Sequence, residues 1–141
     1  MTLLIVWAAL ARFTAGLFAG SCLYVLWVVM PVRRAKPPEL AHPDFVASLA
    51  RSERLQPPLH IVSLLATLLA CSSGAGRLFL AGLAVLLPIL PLSLIWARPV
   101  YVRLRKRLPT DPSVQAELAQ FARIHRLRTI LAVLGFLLLA A

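Results

Sequence analysis

The sequence predicts an all-α integral membrane protein: a four-helix bundle with a short interfacial helix in its first cytoplasmic loop. Three observations carry that expectation. The 141 residues are 60% hydrophobic and only 14% charged, against about 45–50% apolar and about 25% charged in soluble domains. The apolar excess is gathered into runs that approach the roughly 20 helical residues a bilayer core demands. The basic residues behind a net charge of +10 sit between those runs, in two polar segments. A single transmembrane domain, residues 1–141, is all that this length accommodates.

The first span is read at 13–31, "FTAGLFAGSCLYVLWVVMP". The lone Arg12 before it belongs at one interface, either as a snorkelling side chain or as a buried contact. Gly16 and Gly20, four apart, form a small-xxx-small pair that favours close helix packing within the bundle. The polar loop 32–56 follows, with a short amphipathic helix from Pro43 to Leu55 in which Asp44 caps or sits in the first turn. Pro57 and Pro58 suit the opening turn of the second span, 57–73, because a missing N–H costs nothing there. "GAGR" turns the chain into the third span, 78–96, whose Pro88 and Pro91 each delete a backbone hydrogen bond and predict a kink beside an internal cavity. In the basic loop 97–120, "TDPS" is a helix-start signal with Asp111 or Ser113 as cap. One continuous helix then runs to Ala141, its span at 121–141.

Charge sets the orientation. Segment 32–58 holds five Lys/Arg and segment 97–128 holds eight, against one in the 74–77 turn. Both basic segments are therefore expected at the cytoplasmic face of the inner membrane, among anionic headgroups, with both termini outside. The same reasoning removes nucleic acid as a partner, since no basic-aromatic platform accompanies the charge. Cys22 and Cys71 lie in apolar runs without CxxC or Cys/His spacing, so no metal site is expected. "AGSC" at 19–22 resembles a lipoprotein box, but no charged start precedes it and the run continues to Pro31, so no cleavage is expected.

Few polar residues fall in the spans, and those are where chemistry would be carried. His60 lies one turn into the second span. His125 and Arg128, three apart, share a helix face at the head of the fourth. Tyr24 and Trp27 lie at similar depth in the first, and all five can line one pocket open to the inner leaflet. For either histidine the alternative is a satisfied or interfacial imidazole. Two histidines at one depth are also a haem or metal pair in principle, but every acid lies in a loop or at a helix start, leaving no supporting carboxylate. The Trp residues can serve as belt residues.

Four pieces resemble the anthrone oxygenase-like family of small four-helix membrane proteins: "GLFAGSCLYVLWVVMPVRR", "SLARSERLQPPLHIVSLLA", "LPILPLSLIWARPVYVRL" and "FARIHRLRTILAVLGF". The last is the most specific, a His followed two residues later by Arg. The resemblance puts His125 and Arg128 in those places and Arg33 in that of the arginine after the span-one proline. Where the family often has a Thr-Asn element near the end of span three, this chain reads "RPVYV". The resemblance implies a four-helix bundle and, as in some fungal members, oxygenation of anthrones to anthraquinones.

Together these readings give an enzyme-like pocket for a flat, lipid-soluble anthrone, phenol or quinone. His125 would be the base, Arg128 the anion stabiliser, and His60, Tyr24, Trp27 and Arg33 the substrate contacts. A stabilised carbanion reacts with oxygen unaided, so no cofactor is required and none is specified. The alternative is a non-catalytic accessory subunit of a larger membrane complex, with His125 and Arg128 as anchors or partner contacts. A transporter would need a dimer to make a path.

Overall fold

The computed structural model describes residues 2–141, apart from the side chain of Pro38. All regular structure among them is helical. Helix α1 spans Thr2–Arg34, α2 Pro38–Ser52, α3 Gln56–Ser72, α4 Arg77–Lys106 and α5 Val114–Ala140. Three stretches are long and apolar enough to cross a membrane: α1, the joined α2–α3 segment Glu39–Ser72, and α4. Helix α5 has 27 residues but carries Arg123, Arg126 and Arg128 mid-way.

Helix α1 packs along α3 and α5, and α4 completes the ring by packing on the same two. The inward face of α1 is Ala11, Thr14, Ala15, Phe18, Ala19 and Cys22, a spacing of three and four that puts them on one side. Most are small, so α3 comes close and meets them with Ser63, Leu64, Ala66, Thr67 and Ala70. The α4–α5 contact is tighter still. A Cβ on Gly82 would stand 2.8 Å from Leu139, and one on Gly135 only 2.5 Å from Leu86. Each glycine receives a leucine from the opposite helix. Of the pair singled out in the sequence, a Cβ on Gly16 would stand 3.1 Å from the Phe136 ring, whereas one on Gly20 would meet nothing within 4 Å. Arg12 turns out to be neither buried nor simply snorkelling. It is exposed, yet its Nε donates to the Leu139 carbonyl at 2.6 Å and its guanidinium lies 5.2 Å from the Phe79 ring. It thus ties α1 to the carbonyl end of α5, where unpaired acceptors and the helix dipole favour a cation.

Helix α3 ends at a turn in which Ala75 N–H donates to Ala70 O (2.9 Å) and Gly74 N–H to Cys71 O (3.1 Å). Gly74 takes φ +95° to make it, a conformation that costs a side-chain-bearing residue.

At the other end, α2 lies across the helices and contributes Phe45 to a second apolar cluster with Met30, Ala97, Val100, Tyr101, Leu104, Val114, Phe121 and Ala122. It starts five residues before the expected Pro43 and stops at Ser52. The reason is the Pro37-Pro38 pair: Pro37 is extended (ψ 152°) and the following proline opens the helix, as its fixed φ favours. Asp44 is consequently inside the helix rather than its cap, and reaches Arg33 (3.6 Å) and Lys36 (3.4 Å). His42, which the sequence reading passed over, is 5% exposed and its Nε2 donates to Leu104 O at 2.7 Å. Pro57 and Pro58 do open α3.

Prolines loosen this end. In α4 the ladder breaks at Leu87–Pro88 and widens to a π-helical turn at Leu92–Ala97. A second π turn occupies Val25–Val29 of α1. Each π turn stops two residues short of a proline, Pro99 and Pro31 respectively. A proline lacks an N–H and presses on the carbonyl four residues earlier, here Ile95 and Trp27, and a wider turn relieves both effects.

At the start of α5 the N-cap position is Ser113, and Asp111, two residues before it, holds that residue in place. Its Oδ1 accepts from Ser113 N–H (2.8 Å) and Ser113 Oγ–H (2.6 Å), and Oδ2 lies 2.9 Å from Arg107. Ser113 itself makes no side-chain cap bond. The Ser113 hydroxyl and N–H, with Arg107 behind them, hold the Asp111 carboxyl down at about 2.

Candidate functional site

Periodicity sorts the basic head of α5. Glu117, Phe121, His125, Arg128, Thr129 and Ala132 fall on its buried face, while Arg123 and Arg126 are exposed on the opposite side. Of the four basic residues there, two are turned into the protein.

His125 is 2% exposed. Its Nε2 lies 3.2 Å from the carbonyl of Cys22 on α1, one turn before the π-helical turn. A carbonyl only accepts, so Nε2 carries the hydrogen and the neutral ring keeps a lone pair on Nδ1. Phe121, nearly parallel at 6.3 Å, flanks the ring, and the His125 carbonyl is held by Thr129 Oγ1 at 2.9 Å. The base is thus fixed by its neighbours in orientation and tautomer.

Arg128 is 9% exposed, and its Nε is buried without a partner among the described residues. None of their ion pairs includes it. Burying a guanidinium with no counter-charge is costly, and an anionic ligand would offset that cost.

These two residues line a cavity of about 360 Å³ that also receives Arg33, Tyr24, Phe45, Phe121 and Gln56. Its size suits a small-molecule site. Arg33, 8% exposed, reaches it from α1, with Nη2–H donating to Ser48 Oγ at 2.6 Å and its plane 5.0 Å from the Phe45 ring. A neighbouring cavity of about 240 Å³ is lined by His60, Ser93, Leu94 and Tyr101, and by Arg128 again. Leu90 and Ala97 also line it, so the proline-loosened stretch of α4 does form a cavity wall. His60 is 3% exposed, neither ring nitrogen has a partner among the described residues, and Phe18 stacks on it at 4.8 Å.

The structure therefore divides the sequence-derived set. His125, Arg128, Arg33 and Tyr24 share the first cavity; His60 stands on the second, joined to the first through Arg128. Trp27 is not brought to either. It is 75% exposed and projects from the outer side of the π turn, as a belt residue would. The Phe45–Phe121 pair, T-shaped at 4.8 Å, is a wall that sequence reasoning missed. Its signal was present in the period of α2, where His42, Phe45 and Leu49 recur at three and four.

The family model described as anthrone oxygenase matches residues 45–138, that is 94 of 141. The chain belongs to the anthrone oxygenase family. The match contains α3, α4, the second half of α2 and the His125–Arg128 face, while α1 and Arg33 precede it. No curated protein and no solved structure matches the chain significantly.

Proposed function

We propose that the protein is a multi-pass four-helix protein of the cytoplasmic membrane, termini outside, that oxygenates a flat lipid-soluble aromatic of anthrone, phenol or quinone type. The observation that carries this reading is the pairing of an oriented imidazole with an unpaired buried guanidinium, His125 beside Arg128, on one cavity of about 360 Å³. In an anthrone the methylene opposite the ketone is acidic because its carbanion is delocalised onto the ketone oxygen. Nδ1 of His125 takes that proton, and Arg128 stabilises the enolate oxygen. Dioxygen, the co-reactant, takes electrons from the carbanion and forms a C–O bond. The resulting hydroperoxide loses water, using the second methylene hydrogen, and leaves the quinone carbonyl. One anthrone and one O₂ thus give one anthraquinone and one H₂O.

The test is formation of anthraquinone from anthrone by the full chain in nanodiscs under air, read by absorbance against protein-free nanodiscs. His125→Ala is expected to lower the protein-dependent rate by about 10²–10⁴-fold, the range for a lost general base. A wild-type rate equal to the blank would sink the enzyme. Co-purification of other membrane subunits at fixed stoichiometry, with no aromatic ligand bound, would favour an accessory subunit instead.

A further inference from the structure

The first cavity is unbalanced in charge. Arg33, Arg51 and Arg128 line it, and no Asp or Glu does. Arg128 and Arg51 take part in none of the ion pairs of the described residues, and Arg33 shares its only acid, the half-exposed Asp44, with Lys36. The arginines also stand at two places. Arg128 comes from α5 beside His125. Arg33 and Arg51 come from α1 and α2, with Ser48 hydrogen-bonded to Arg33. Two buried guanidiniums, each with an Nε lacking a hydrogen-bond partner, exceed what one enolate requires. Resting on the reading above, we infer that the ligand of this cavity carries two acidic functions on an aromatic body. One is the enolisable or phenolic oxygen at Arg128; the other is a carboxylate held by Arg33 and Arg51, with Ser48 Oγ positioning Arg33. The carboxylate interacts with the planar guanidinium donors, while the apolar lining holds the rings.

The experiment compares binding of anthraquinone-2-carboxylate and its neutral carboxamide to the full chain in phosphatidylcholine nanodiscs at pH 7, corrected for lipid partition. The carboxylate should bind about tenfold tighter, the worth of a charge-assisted hydrogen bond. Arg51→Gln, at the exposed edge of the cavity, should narrow that ratio to about threefold or less. Equal binding of both compounds to the wild type overturns the two-acid ligand while leaving the aromatic cavity standing. Binding of neither overturns the aromatic site itself. Retention of one phosphatidylglycerol per chain through detergent washing, lost in Arg51→Gln, would assign these arginines to a lipid headgroup and also overturn the proposal.

Discussion

The two ends of the molecule are built on opposite terms. Around Gly82, Leu86, Gly135 and Leu139 the helices touch backbone to side chain, and the buried cluster there is wholly apolar, small and aliphatic residues with Phe18 and Phe79. Around α2 the helices are loosened by π turns and prolines, three cavities open, and His42, Arg33, Glu117, His125 and Arg128 are buried. The first end holds the helices in register; the second accepts unpaired polar groups that a well-packed core would exclude. Stability and chemistry are thus separated along the helix axes, and a substitution should show its end by which of the two it changes.

The largest effect is expected at the loose end. Arg128→Met replaces an unpartnered buried cation with an apolar side chain of similar length. Exchanging buried charge for apolar volume is often neutral or stabilising by about 1–4 kcal/mol. Thermal unfolding in detergent should therefore show an unchanged or higher Tm while anthrone oxidation is lost. A large fall in Tm would mean that Arg128 holds the fold together, and the separation would fail. At the tight end, Gly135→Ala sets a methyl 2.5 Å from the fully buried Leu86. Overpacking of this kind costs about 1–3 kcal/mol, so Tm should fall with the rate per folded molecule retained.

The smallest effect separates the site from the loop that starts its helix. The Asp111 carboxyl is held at about 2, below its ordinary 3.8. A depressed carboxylate adds stability that is complete above the ordinary value and fades as pH falls through the folded one. Amide exchange at Ser113 and Val114 should accordingly quicken as pH is lowered from 4 toward 2, beyond the intrinsic trend. Asp111→Asn should remove that excess and leave ligand binding alone. If the variant keeps the same pH dependence, another group anchors this turn.

Much of this could be read from the residues alone. The apolar runs, the proline opening of α3, the break at Pro88 and the inward pair His125–Arg128 all follow from composition and a period of three and four. What escaped was pairwise. Gly82 and Gly135 matter because a leucine on another helix points at each, and no single-segment pattern carries that. Trp27 was placed by depth, but depth does not give direction around a helix, and a π turn changes that direction locally. Asp44 was misplaced for a related reason: it reads as a cap only if the helix starts beside it.

The π turn of α1 has a consequence for register. Such a turn holds one residue more than an α turn, and each residue of a helix advances about 100°. Met30–Arg34 are therefore rotated by about that angle from where an unbroken helix would put them. Regular winding with every residue kept would swing Arg33 a quarter turn or so out of the cavity. Deleting Val28 would instead remove the extra residue together with its offset and leave Arg33 facing the cavity. In any relative that winds α1 regularly, the arginine able to serve this cavity would stand one position away from Arg33. Its equivalence would be spatial, and a gap-free comparison of the two chains would pair it with the wrong residue.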